Sequence, residues 1–534
     1  MRFLTAALSL ALPAALLASP VWASGGNELN GALLSALWVA PFVCMLLSIA
    51  ILPLATPHIW HHHYGKIAAF WALAFAIPCA ITFGAGLTVY QLLHTFLLEY
   101  VPFLILLLAL FTVAGGIRIT GNLTGTPAVN TGILAAGTLL ASLMGTTGAA
   151  MLLIRPLLRA NSHRTYQVHS VVFFIFLVAN IGGSLTPLGD PPLFLGFLQG
   201  VSFFWTLHNI LPETLLCVVV LLSLFFVIDT VLYKREGSPV QPTATSGNAA
   251  DNGTTQTAAA STQPSQWSAG STPPAAPADA YAPSPATSAT AQAPSPAPLL
   301  HTVHAPKKQE RLGIDGAVNL PLLFGIVGAV LMSGLWKPGV SYAIYGVELE
   351  LQNLVRDALL LGFAYTSWKL TTRQCRHLND FSWGPIEEVA KLFAGIFVSM
   401  IPAIAILKAG EAGALAPIIR LVTHDGQPVN AMYFWLTGIL SSFLDNAPTY
   451  LVFFNTAGGD AAHLMRDLPE TLAAISAGAV FMGANSYIGN APNFMVRSIA
   501  EDQGVQMPSF FGYMAWSCGI LVPCFLLVTW IFFG

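Results

Sequence analysis

Apolar residues in this chain collect into long runs and do not alternate with polar ones. Runs long enough to cross about 30 Å of hydrocarbon lie near residues 31–55, 66–94, 101–119, 168–186, 207–232, 318–335, 352–369, 386–407, 472–486 and 509–533. Each predicts a membrane helix, because in lipid a spanning segment must pair its own backbone groups. Shorter apolar pieces flanked by Gly, Asn and Pro lie near 130–160 and 429–456. The pattern stops between 237 and 300, where Ala, Pro, Ser, Thr, Gln and Gly dominate and only Asp251 and Asp279 are charged. Such a stretch buries too little apolar surface to offset ordering, which predicts a disordered linker. At the start, Met1-Arg2, the apolar run Phe3 to Ala18 and Ser19-Pro20-Val21-Trp22-Ala23 have the layout of a signal peptide, with an uncleaved first helix as the alternative. The reading is therefore an all-α membrane protein: a segment 1–23, a first membrane half 31–235, a linker 236–310 on the cytoplasmic side, and a second half 311–534.

Composition removes the other broad classes. The chain is 55% hydrophobic and 8% charged, with a mean hydropathy of +0.68, whereas soluble domains carry about 25% charged residues. A net charge of −3 leaves no basic surface for nucleic acid. The cysteines Cys44, Cys79, Cys217, Cys375, Cys518 and Cys524 form no CxxC spacing and read as small buried hydrophobes. No HExxH, GxSxG or P-loop points to an enzyme.

Lys and Arg set the orientation. Arg155, Arg159 and Arg164, then Lys234, Arg235, Lys307, Lys308 and Arg311, then Lys369, Arg373 and Arg376 all fall on one side if 130–160 enters and leaves from the cytoplasm and 429–456 does so from the opposite face. That solution predicts two inverted-topology repeats, each with about five spans, one re-entrant hairpin and a broken helix, in a bacterial-type inner membrane.

The chain also repeats itself. Residues 141–149 align without gaps on 441–449, and at the same offset of 300 residues Gly183 to Phe194 align on Gly483 to Phe494. Gly183/Gly483, Gly189/Gly489, Pro192/Pro492 and Phe194/Phe494 are identical pairs; Asp190/Asn490 and Thr186/Ser486 are chemically close. The helix-break and hairpin-tip positions are Gly145, Gly148, Gly189, Pro191, Pro192, Pro448, Gly489 and Pro492. Polar residues beside Gly and Pro at membrane depth must line a cavity or ion site, since unpaired backbone in lipid costs several kcal/mol per group. Inverted repeats with interrupted helices bind ions in this manner and work by alternating access.

Two acids sit inside the breaks, Asp190 and Asp445, without Lys or Arg in either motif. A carboxylate in the membrane costs at least about 2.5 kcal/mol and is a functional candidate. Symmetry suggests one site per half: Thr146, Thr147, Thr186 and Asp190 in the first; Asp445, Asn446, Thr449, Asn485, Ser486 and Asn490 in the second. Hydroxyl, amide and carboxylate oxygens suit Na⁺ and no transition metal. A carboxylate that loses its cation there favours a proton, and that competition is the minimum for antiport. Asn180 and Asn493 are further candidates, with helix-packing amides as the plainer alternative. Glu388 and Lys391 are spaced for a local ion pair. Arg155 and Arg497 read as interfacial anchors. His58, His61, His62 and His63 are expected in a cytoplasmic loop, there to be solvated, to sense pH or to hold a metal.

Four stretches carry a family resemblance: Leu140 to Pro156, Asn180 to Pro192, Ser442 to Thr449 and Gly483 to Asn493. They resemble the ion-transporter superfamily, which includes NhaD-type Na⁺/H⁺ antiporters, arsenite permeases and citrate and dicarboxylate transporters, and most of all its sodium:proton antiporter group, also labelled citrate-transporter-like. The resemblance implies cation sites at hairpin tips and broken helices, onto which Thr146, Thr147, Asp190, Asp445, Asn446 and Asn490 map, and a homodimer. It implies no cofactor beyond Na⁺ and H⁺. Carboxylate transporters of that superfamily use Ser-Asn-Thr at both tips, where this chain has Gly145-Thr-Thr147 and Asp445-Asn-Ala447. That departure favours Na⁺(Li⁺)/H⁺ exchange, with Na⁺- or H⁺-coupled citrate or dicarboxylate transport as the alternative.

Overall fold

The computed structural model describes residues 29–121, 123–236 and 313–534. The signal-like segment 1–23 and linker residues 237–310 lie outside them. Among the described residues, seven helices are long and apolar enough to cross a bilayer by length and composition, so the chain is a multi-pass, all-α membrane protein.

The first half opens with α1 (Ala40–Ala55) and α2 (Pro57–Phe83). The histidine cluster expected in a loop lies instead in the first turns of α2. Pro57 at the helix start presets φ, and His62 Nδ1 sits 3.0 Å from the His58 carbonyl on the same face. The run 66–94 is also divided: Gly84, at φ +91, separates α2 from α3 (Ala85–Ala114), a backbone angle that glycine tolerates and other residues rarely adopt. Strand β1 (Arg118–Thr120) follows and pairs antiparallel with β2 (Gly313–Asp315) from the start of the second half. Next come α4 (Pro127–Met144) and α5 (Thr146–Ala160), then α6 (Val168–Leu177), α7 (Pro191–Leu198) and α8 (Leu211–Arg235).

The second half contains α9 (Asn319–Leu335), the hairpin β3 (Ser341–Ile344) and β4 (Val347–Glu350), α10 (Leu351–Leu370) and α11 (Gly384–Lys408). Then α12 (Asn430–Phe443), α13 (Asn446–Thr456), α14 (Pro469–Met482), α15 (Ala491–Asp502) and α16 (Phe510–Phe533) follow. The starts of α4 to α8 thus recur as α12 to α16 about 300 positions later.

Helices α6 and α14 are buried almost along their whole lengths, while α1, α2 and α8 show Ile51, Phe70, Ile77, Leu215 and Val219 outward. That arrangement puts the interrupted helices innermost and apolar side chains toward lipid. Helices α4 and α5 pack against each other, as do α12 and α13. Gly125 N donates to Ala160 O at 2.8 Å, so the first pair closes at its mouth as a hairpin. The second halves of these hairpins reach across the molecule, α13 packing on α7 and α5 on α15.

Candidate functional site

The hydroxyls that sit at each break tie hairpin tip to broken helix, and they do so twice. In the first half Ser142 Oγ donates to Gly182 O at 2.5 Å and Thr186 Oγ1 donates to Ser142 O. In the second, Ser442 Oγ donates to Met482 O at 3.0 Å and Ser486 Oγ donates to Ser442 O. Leu188 N and Ile488 N each donate to the hydroxyl two residues earlier, both at 3.2 Å. Backbone groups freed by the breaks are thus repaired by side chains, as a lipid-surrounded chain requires. The glycines follow from close approach: a Cβ on Gly189 falls 2.1 Å from Gly183 O, and one on Gly489 falls 2.6 Å from Gly483 O. Ser142 and Ser442 are missing from the candidates drawn from sequence, although they are the one identical pair in the aligned hairpin tips.

Four helices begin where these breaks meet. Thr146 and Asn446 are the first residues of α5 and α13; Asp190 and Asn490 stand immediately before α7 and α15, their side chains making no bond to the helix that follows. Asp190, 2% exposed, is the hub. Its Oδ1 accepts from Thr146 Oγ1 at 3.1 Å and from Asn490 Nδ2 at 3.1 Å, and its Oδ2 accepts from Asn446 Nδ2 at 2.5 Å. Four helix N-termini also place partial positive charge around this carboxylate. Among the described residues no Lys or Arg bonds to it.

The sequence divides these residues between two sites, one per half. The hydrogen bonds cross that division, since two of the three donors to Asp190 come from the second half. Asp445 is half-buried, and its Oδ1 accepts from Ala447 N, at 3.0 Å. Thr449 Oγ1 donates to Asp445 O at 3.0 Å and Asn485 Nδ2 to Ser442 Oγ at 2.9 Å. Thr147 is half-buried beside Thr146. Buried oxygens Asn446 Oδ1 and Asn485 Oδ1 have no hydrogen-bond partner among the described residues.

Asn180 and Asn493 join the centre as bridging amides. Asn180 Nδ2 donates to Asn493 Oδ1 at 2.7 Å, Asn490 Nδ2 to Asn180 Oδ1 at 3.2 Å, and Asn493 Nδ2 to Gly483 O at 2.8 Å. The pair expected between Glu388 and Lys391 is not formed: Lys391 Nζ meets Glu387 Oε1 at 2.5 Å, one turn back at i−4, and Glu388 faces Trp60 and His61. The i, i+4 spacing brings the longer side chains over each other, and i, i+3 is taken up by α2. Arg155 pairs with Asp380 at 3.2 Å and Arg497 with Glu501 at 2.9 Å. Among the described residues no cluster of three or more His, Cys, Asp or Glu is placed to hold a metal.

No curated protein matches the chain. A family model described as "Putative citrate transport" does, over residues 31–259 and 289–533, which takes in both hairpins, both broken helices and every residue around Asp190. With nearly the whole chain outside the N-terminal segment and part of the linker so matched, this membrane protein belongs to that citrate-transport family of secondary transporters.

Proposed function

We propose that the chain exchanges Na⁺ or Li⁺ for H⁺, with Asp190 and Asp445 taking cation and proton in turn. One observation supports this above the rest: a buried carboxylate at the meeting of four helix N-termini, held by the neutral donors Thr146, Asn446 and Asn490. A fixed charge at that depth is costly, and a bound cation or proton removes the cost. Asn446 Oδ1 and Asn485 Oδ1, buried and without donors, fit a hard cation that takes oxygen ligands. When the cation leaves, the carboxyl regains neutrality by protonation, so release of one ion and capture of the other are linked.

In this reading the halves 31–235 and 311–534 lie with opposite orientation in a bacterial inner membrane. The α4–α5 and α12–α13 hairpins enter from opposite faces, and rocking of one half against the other exposes the site alternately. The linker 236–310 lies on the cytoplasmic side, and two copies form a homodimer.

A second reading, Na⁺- or H⁺-coupled uptake of citrate, is favoured by the family match and by the converging helix N-termini, which attract anions. Asp190 weighs against it, because a substrate carboxylate would meet a fixed carboxylate already in that position.

The test is purified protein in liposomes with a trapped pH dye. A Na⁺ or Li⁺ pulse should drive proton movement, abolished by Asp190→Asn and by Asp445→Asn. Na⁺-dependent uptake of labelled citrate without cation-driven proton movement would replace the first reading by the second.

A further inference from the structure

Helices α5 and α15 both begin at the Asp190 centre, pack against each other and end together at a second, differently built place. A cavity of about 220 Å³ lies there, lined by Arg118, Arg155, Arg159, Asn379, Asp380 and Gln503, with room for several waters. We propose that it binds a phosphate-type oxyanion, from an anionic phospholipid headgroup or from free phosphate. This goes beyond the ion-exchange reading and does not rest on it.

Charge is the first argument. Three guanidinium groups from β1 and α5 face two carboxylates: Arg118 Nη1 meets Asp315 Oδ2 at 3.2 Å, and Arg155 Nη2 meets Asp380 Oδ2 at 3.2 Å. The side chains of Asp315 and Asp380 are 50% and 73% exposed. Ion pairs so exposed contribute little, so a better-fitting oxyanion can displace them.

Hydrogen bonding is the second. Arg155 Nη1 is buried and has no hydrogen-bond partner among the described residues, although a buried charged donor left unpaired is costly. A guanidinium fork with one arm on an exchangeable carboxylate and the other unmatched is suited to two oxygens of a phosphate. The neighbouring amide is already committed: Asn379 Nδ2 donates to Gly115 O and Ile117 O at 3.0 and 3.1 Å. Helix α5 presents its carbonyl end here, which by itself repels anions. The arginines therefore carry the site, and Arg159 turns one nitrogen to the backbone at Ile119 O, 2.8 Å away.

Location is the third. Arg155 and Arg159 belong to the positively charged set that orients the chain, and basic pockets between membrane helices on that side match anionic headgroups. Asp380, held at φ +48, sets its carboxylate at the cavity's lip as the competing ligand.

The experiment uses the full-length protein and reads its thermal unfolding midpoint. One arm titrates inorganic phosphate in detergent against chloride at equal ionic strength. The other compares nanodiscs of phosphatidylcholine with discs containing phosphatidylglycerol. Stabilisation by phosphate alone assigns the site to free phosphate, and stabilisation only in phosphatidylglycerol discs assigns it to the headgroup. Either supports the proposal if Arg155→Gln weakens the effective affinity by about tenfold or more, as loss of a charge-assisted pair implies, and Asp380→Asn strengthens it. Equal responses of Arg155→Gln and the parent protein, or chloride matching phosphate together with no difference between the two kinds of disc, overturn it. Should Arg155→Gln not fold, Asp380→Asn decides alone: an unchanged or weaker response overturns the site.

Discussion

Replacing Asn490 by Asp exchanges an amide donor to Asp190 Oδ1, now 3.1 Å away, for a second carboxylate. Two acids at that spacing do not both ionise but hold one proton between them. Asn490→Asp should therefore move the pH profile of Na⁺-driven proton release to higher pH, read with the trapped dye across a pH series; an unchanged profile would show that Asp190 does not titrate during transport. Thr146→Val removes the donor from the first half while leaving the shape of the site. A hydrogen bond to a charged group contributes roughly 1.5–3 kcal/mol, so half-saturation by Na⁺ should rise about tenfold or more, with Thr146→Ser close to the parent protein. If instead Thr146→Val and Thr146→Ser behave alike, the hydroxyl is not part of the site.

The elements that build the centre are short helices ended by backbone that only certain residues allow. Gly145 has φ +81, and a Cβ added there would lie 3.4 Å from its nearest neighbour, Leu188 O. Gly145→Ala thus meets conformational strain of about 1–3 kcal/mol but little crowding. Gly189→Ala drives a methyl to 2.1 Å from Gly183 O, and backbone must move, so it should lower the unfolding midpoint more than Gly145→Ala. The reverse order would mean that the hairpin tip, and not the broken helix, is the rigid part. Gly196 is one of several close approaches between the halves, a Cβ there falling 2.3 Å from the Tyr450 hydroxyl. Gly196→Ala should destabilise, and Tyr450→Phe added to it should restore part of the loss, as non-additivity of touching residues requires.

At the scale of the whole molecule, the halves hold each other through α5 on α15, α13 on α7 and α8 on α16. Cys217 Sγ lies 3.7 Å from Cys524 Sγ across the last of these contacts. A chain cleaved within the linker, near residue 270, should therefore remain a single complex in detergent. Membrane-permeable oxidant should cross-link its fragments to the size of the uncut chain on a non-reducing gel, while Cys217→Ala abolishes the cross-link. Fragments that separate before oxidation would show that the linker, not helix packing, unites the halves.

Membrane character, helical class and the positions of the breaks are all legible in the amino-acid order, because each of these is local. An apolar run must be helical in lipid, and Gly183, Gly189, Pro192 and their partners 300 residues on mark where helices stop. The same offset also contains Ser142 and Ser442, whose hydroxyls repair both breaks. The bend at Gly84 is not legible, because one glycine inside an apolar run reads the same whether it bends the chain or packs in a helix. Nor is the pairing of Lys391, whose choice between Glu387 and Glu388 depends on what α2 presents to α11. The repeat groups Thr146 with Asp190, but folding alone adds Asn446 and Asn490 from the other half, partners 256 and 300 residues away. No local pattern encodes those contacts; they arise because two interrupted helices and two hairpins, each unable to satisfy its polar ends in lipid alone, bury those ends against one another.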